Sequence, residues 1–174
     1  MNHIERFYAT IERRPVDRPC TWLGVPSNEN IQALFDLHQV GDFAALADRL
    51  GLDVWHVPLP LRKTFDWRKD KAVPSHTLNT IGFFESCREL DGLDSFDWPE
   101  PQQSICAEDC LNVVNAVPEG FAILGMLWSP HFQDVCSAFG MEDAMVAMLE
   151  APELYRAIIQ RTLDFYLAVN EVFY

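Results

Sequence analysis

The chain has 174 residues, of which 26 are acidic and 13 are basic, so its net charge at pH 7 is −13. An acidic surface repels phosphate groups, which argues against nucleic acid or an anionic membrane surface as a partner. The sequence contains no apolar run of signal-peptide or transmembrane length, and its five cysteines are scattered and odd in number, which together predict a reduced, cytoplasmic protein.

The first 60 residues alternate helical and extended patterns. Apolar side chains recur at helical spacing in three stretches, and two short β-prone runs are each stopped by glycine or proline. Asn2 is placed to cap the first helix, and Gly51 is placed to end the third. The predicted elements are helices over residues 4–11, 31–38 and 43–50 and strands over residues 21–23 and 54–57.

The rest of the chain continues this alternation after a charged, irregular loop over residues 61–75. Residues 80–84 predict an accessory strand in an excursion, and the prolines of residues 97–101 predict a stiff linker. The predicted elements that follow are helices over residues 105–114, 142–149 and 152–174 and a buried strand over residues 121–125. Strands that alternate with helices predict a parallel α/β sheet.

Five short segments, in chain order, resemble segments of one known family. They are the helix and Pro-Val-Asp-Arg-Pro turn of residues 6–24, Trp98–Pro101, Gly120–Gly125, Gly140–Asp143 and Glu153-Leu154. Together they resemble the N-terminal portion of proteins of the uroporphyrinogen decarboxylase superfamily. Members of that family build (β/α)8 barrels that decarboxylate tetrapyrroles or move methyl groups to and from corrinoids.

The resemblance implies an α/β fold, the N-terminal half of a (β/α)8 TIM barrel with parallel strands and an accessory strand and loop excursion. Residues 1–174 would then be a single incomplete domain, because a whole barrel needs about 250 residues. The chain would be a fragment of a longer protein or a truncated relative that completes its core with a partner. Because an isolated half leaves sheet edges and helix faces bare, we expect self-association or association with the missing C-terminal half.

In such barrels the substrate side is formed by the loops that follow the strands. The residues expected there are Gly24, Ser27, Asn28, His56, Trp128, Ser129 and His131. His131 and His56 are the candidate general acids or bases. The sequence leaves a second interpretation of each open, because His56 also suits a hydrogen-bonded core histidine and His131 a cap of the following helix.

Two further pairs of residues have competing interpretations. Cys106 and Cys110 lie one helical turn apart and would suit the start of a metal site, but the chain offers no second pair at matching spacing. Small buried side chains are the simpler interpretation, so no metal site is predicted within the chain. Asp17 is expected to fix the turn before the first strand by accepting backbone N–H groups, and to serve stability together with Arg18.

The residues after the first predicted strand bear on the reaction. True decarboxylases of the superfamily carry an Arg-Gln-Ala-Gly-Arg segment there that grips substrate carboxylates, whereas Gly24–Asn28 contains no arginine. The resemblance then favours a methyltransferase-like enzyme that moves a methyl group between a corrinoid and a thiol. There are two alternatives. One is uroporphyrinogen decarboxylase activity in porphyrin biosynthesis, which is a carboxy-lyase reaction, and the other is a non-catalytic half-barrel binding module.

The same resemblance sets the expected ligands. A small molecule would bind here, either a corrinoid or tetrapyrrole or a methyl donor. No cofactor is expected within this chain, while zinc and a corrinoid would serve the full-length protein. The chain alone is therefore expected to be inactive.

Overall fold

A computed structural model describes residues 1–70, 81–127 and 131–174 of the chain. The end of the predicted loop over residues 61–75, the first residue of the predicted accessory strand, and the predicted site residues Trp128 and Ser129 lie outside these ranges. In chain order the elements are α1 (His3–Ile11), α2 (Asn28–His38), α3 (Phe43–Leu50), β1 (Val54–Pro58), α4 (Pro101–Ser104), α5 (Ala107–Asn115), β2 (Ala122–Met126), α6 (Phe132–Phe139), α7 (Met141–Glu150) and α8 (Pro152–Phe173). A 3-10 helix covers Leu90–Ser95.

The predicted half of a TIM barrel is wrong. The described residues are 54% helix and 7% strand, and their sheet has two strands, β1 and β2, which pair in parallel with Val54 opposite Ala122 and Pro58 opposite Met126. Half of an eight-stranded barrel would need about four strands, each followed by its helix. The described residues form one parallel pair of strands within a mostly helical structure.

Two of the predicted strands are missing for identifiable reasons. The Thr21 carbonyl oxygen accepts a hydrogen bond from Asp53 N at 2.9 Å, but the Thr21 N–H donates to the Asp53 side-chain carboxylate. The backbone pairing between residues 21–23 and β1 therefore does not continue as a strand ladder. The described part of the accessory strand forms an isolated antiparallel bridge between Arg68 and Gly82. Phe83 and Phe84, which follow it, pack into an aromatic cluster instead.

The predicted helices are confirmed, with small changes at their ends. Asn2 accepts from Glu5 N at 2.8 Å and caps α1. Ser27 accepts from Asn30 N at 3.3 Å, so α2 begins three residues earlier than the apolar spacing indicates. Gly51 ends α3 in the left-handed conformation with φ of 63°, and Pro152 lies in the first turn of α8.

The described chain divides into two compact units. Unit 1 comprises Met1–Leu59 and Leu111–Met126, and unit 2 comprises Pro60–Cys110 and Leu127–Tyr174. This division leaves the prediction of one incomplete domain untested. Among the described helices, none combines the length and the apolar character that crossing a membrane requires.

Unit 1 has a small core beside its parallel strands. Phe121, directly before β2, packs with the buried side chains of Ala47 and Leu52. The Trp55 ring meets Phe43 edge to face at a centroid distance of 4.9 Å and Phe121 at 5.4 Å. The strand pair is thereby joined to α3, which fixes the position of β1.

Unit 2 is built on an aromatic interior. Phe65 stacks on Trp67 with ring centroids 4.7 Å apart, and Trp67 stacks on Phe96 at the same distance. Phe165 of α8 reaches Phe65 at 4.8 Å. Aromatic pairs at these distances contribute beyond the area that they bury, so packed rings form the core of the described part of this unit.

Candidate functional site

Gly24, Ser27 and Asn28, which were predicted to contact substrate, each have a local structural role in the loop after residue 23. Gly24 has φ of 80° in open surroundings, a conformation that favours glycine. Ser27 uses its hydroxyl to cap α2, and Asn28 is the exposed first residue of that helix. The Ser27 hydroxyl is already used in the cap of α2, which needs no substrate. Contact of these three residues with a substrate therefore stays a prediction.

His56 is the predicted residue whose surroundings call for an explanation. It lies in β1 opposite Leu124, and its ring centroid is 6.4 Å from that of Trp22. Its Nε2 atom is buried and has no hydrogen-bond partner among the described residues. The alternative interpretation, a hydrogen-bonded core histidine, therefore does not hold for the Nε2 atom of His56.

Burial also sets the protonation state of His56. Desolvation lowers the pKa of its imidazole below the usual value of 6.5. The ring is therefore neutral at pH 7 and carries one N–H donor and one bare nitrogen. An unpaired buried polar group costs about 1–3 kcal/mol, so the position of Nε2 is unfavourable unless a ligand completes it.

The second candidate histidine, His131, lies in unit 2. It is exposed at the N-cap position of α6, but its side chain makes no capping hydrogen bond. The alternative interpretation, that His131 caps the following helix, is therefore correct about its position, but the expected side-chain hydrogen bond does not form. Because Trp128 and Ser129 lie outside the described residues, the pocket mouth predicted around His131 stays a prediction.

A buried carboxylate that the sequence analysis missed organises unit 1. Asp53 precedes β1, and its side chain is fully buried. Arg6 donates to it at 2.5 Å, Arg18 at 2.7 and 2.9 Å, Thr21 N at 2.9 Å, and His3 Nδ1 lies 3.0 Å away. This Asp53 cluster joins α1, the turn before residue 21 and the start of β1.

The electrostatics of the cluster are those of a structural anchor. Burial alone would raise the pKa of Asp53, but the hydrogen bonds from Arg18, Thr21, His3 and Arg6 outweigh it and hold the pKa well below its usual range. The carboxylate is thus charged near neutral pH and accepts several hydrogen bonds, which leaves it unsuited to proton transfer there.

Asp17 has the structural role predicted for it. Its carboxylate accepts from Arg18 N at 3.0 Å, which fixes the turn. It also forms a two-pronged pair with Arg6, at 2.7 Å from Nε and 2.9 Å from Nη2. The hydrogen bonds from Arg6 lower the pKa of Asp17 below its usual range, so this pair extends the Asp53 cluster.

Unit 2 contains another carboxylate that no sequence pattern marked. Asp134 of α6 accepts from Trp67 Nε1 at 2.7 Å and from Tyr166 Oη at 3.0 Å. Burial raises the pKa of Asp134, and it raises the pKa of Tyr166 as well. Both donors are neutral, and they come from distant parts of the chain, so this group ties α6 to α8 within unit 2.

The described residues do not fit a zinc site. Arg62 Nη2 lies 3.0 Å from the Cys106 sulfur, which places a positive charge where a cation would bind. Cys110 is buried, and desolvation raises the pKa of its thiol. In residues 1–70, 81–127 and 131–174, no group of three or more histidine, cysteine or carboxylate side chains is arranged to hold a metal.

In unit 1, the described arrangement with a chemical capacity of its own is the neutral ring of His56, whose Nε2 is unpaired, beside Trp22. Such a pair offers a hydrogen-bonding nitrogen next to a flat apolar surface, which are the elements of small-molecule recognition. The resemblance that suggested the site rests on the sequence segments alone. When the chain is compared with protein-family models, curated proteins and solved structures, nothing matches it.

Proposed function

We propose that unit 1 binds a small molecule beside β1 through His56, and that the reaction it serves is methyl transfer between a corrinoid and a thiol. The observation that supports the proposal is the buried Nε2 atom of His56, which lacks a partner among the described residues. Buried polar atoms are nearly always paired, so an unpaired one in a strand favours a missing ligand.

The chemistry of the two candidate ligands favours a corrinoid. Its periphery carries amides, which a neutral imidazole can hydrogen-bond, and its flat macrocycle suits the Trp22 ring, which is 42% exposed. Uroporphyrinogen carries eight carboxylates instead. Those would meet a chain of net charge −13 and a Gly24–Asn28 loop without an arginine.

Replacing His56 by phenylalanine tests this proposal. We expect His56→Phe to abolish methylcobalamin binding measured by equilibrium dialysis. We also expect its free energy of unfolding to equal that of the wild type or to exceed it by about 1 kcal/mol, because an unpaired buried nitrogen has been removed. Higher stability with lost binding is the signature of a ligand site rather than a structural histidine.

His38→Ala, at the end of α2, serves as the matched control and should bind methylcobalamin as the wild type does. Unchanged binding in His56→Phe would contradict the role of His56. Uroporphyrin binding without methylcobalamin binding would favour the decarboxylase alternative. Binding of methylcobalamin by a longer form of the protein that shows no methyl transfer to any thiol would favour a non-catalytic binding module.

A further inference from the structure

Unit 2 has an open cleft of about 370 Å³ that is separate from the His56 site of unit 1. Phe65 and Phe165, both buried, line its floor with ring centroids 4.8 Å apart. Trp98 lines it as well and is half-buried. The volume lies within the range of small-molecule sites, which are commonly aromatic-lined with a few polar groups.

Trp98 is held in one orientation. Its Nε1 donates to Leu93 O at 2.8 Å, and its ring meets Phe96 edge to face with centroids 4.8 Å apart. The guanidinium carbon of Arg161 lies 4.9 Å from the Trp98 ring centroid. Trp98 is thus a fixed aromatic surface of the cleft, and the guanidinium of Arg161 lies over its ring.

The charged side chains around the cleft differ in the partners that they have. Arg161 forms no ion pair with a carboxylate of the described residues, although the chain has 26 acidic and 13 basic residues. Glu100 and Asp164 line the same cleft and are exposed. Asp164 accepts a neutral hydrogen bond from Gln160 at 2.8 Å. One cation and two carboxylates therefore surround an aromatic floor.

We propose that this cleft binds a small zwitterion with an aromatic ring, the chemistry of an aromatic α-amino acid. The ligand carboxylate pairs with Arg161, whose planar guanidinium suits two-pronged binding of a carboxylate. The ligand ammonium faces Glu100 and Asp164, and the ring packs against Trp98 and Phe65. None of these residues belongs to the His56 site, so the proposal stands apart from the proposed methyl transfer.

Three small probes separate the contributions of the ligand groups. L-phenylalanine, its amide, which lacks the carboxylate, and 3-phenylpropionate, which lacks the ammonium, are titrated into the chain and followed by NMR. We expect saturable shifts with L-phenylalanine and about tenfold weaker binding of each analogue, the effect of losing one charge-assisted contact. Absence of saturable shifts with L-phenylalanine, or equal binding of all three probes, would overturn the proposal.

An exposed substitution on α8 tests the assignment of Arg161. Arg161→Gln should weaken L-phenylalanine binding about tenfold and leave binding of the amide unchanged. Arg156→Gln, an equally exposed position on α8 outside the cleft, is the control and should bind all probes as the wild type does. An Arg161→Gln protein with the wild-type circular dichroism spectrum and undiminished L-phenylalanine binding would contradict the site.

Discussion

Replacing Asp53 by alanine is expected to lower the free energy of unfolding by about 3–5 kcal/mol, the usual result of removing one partner of a buried ion pair. The carboxylate is fully buried and accepts from Arg6, Arg18 and Thr21. Its loss leaves Arg6, itself buried, with Asp17 as its one carboxylate partner among the described residues, and it leaves the Thr21 N–H without an acceptor. Urea unfolding followed by circular dichroism measures the change.

The same cluster predicts how stability depends on pH. Because the pKa of Asp53 is lower in the folded chain than in the unfolded one, its contribution is fully present above the unfolded value of 3.8. That contribution is lost as the pH falls below 3.8 toward the folded pKa.

Asp48→Ala, at an exposed position of α3, is the control for Asp53→Ala and should change the free energy of unfolding by less than about 0.5 kcal/mol. Equal, small effects of the two substitutions would contradict the Asp53 cluster as the anchor of unit 1.

Replacing Phe84 by alanine is expected to cost about 3–5 kcal/mol, as for other large buried aromatic side chains. Phe84 is 1% exposed, and its ring lies 5.6 Å from that of Phe96 and 6.0 Å from that of Phe139. The cavity would open inside the aromatic interior of unit 2. Thermal unfolding should show the loss as a lower melting temperature.

Phe132→Ala gives the comparison for this prediction. Phe132 begins α6 in the same unit and is 55% exposed, so its removal should change stability by less than about 0.5 kcal/mol. A Phe84→Ala protein as stable as Phe132→Ala would show that the aromatic cluster is not the core of unit 2.

The helices could be predicted because their signals are local. Asn2, Asp42 and Gly51 cap or end helices through contacts within four residues along the chain, and apolar spacing within each helix marks its buried face. Such signals do not depend on the rest of the fold, which is why α1, α3 and α8 were predictable nearly to their ends.

The strand prediction failed where a distant side chain competes with the backbone. Residues 21–23 have the composition of a strand, but Asp53, which lies 32 positions after Thr21, takes the Thr21 N–H. No pattern in either segment marks that contact. The barrel inferred from the resemblance needed this strand, and without it the described part of the chain has one parallel pair, β1 and β2.

The candidate site shows the same division between local and long-range information. The apolar run around His56 predicted a buried strand; β1 confirms the strand, and Val54 and Val57 are its buried residues. Whether the imidazole has a partner depends on Trp22 and on every other group around it, which the sequence does not place. Asp134 was missed for the same reason, since its donors Trp67 and Tyr166 lie 67 and 32 positions away.

In the proposed site, His56 holds a neutral ring whose Nε2 binds the ligand. NMR of the imidazole nitrogens, with and without methylcobalamin, tests it most directly. We predict a neutral His56 ring at pH 6.5 and above, because burial lowers its pKa, and a shift of the Nε2 resonance on saturation with methylcobalamin. A His56 ring that is protonated at pH 6.5, or an Nε2 resonance unmoved by saturating methylcobalamin, would contradict the claim.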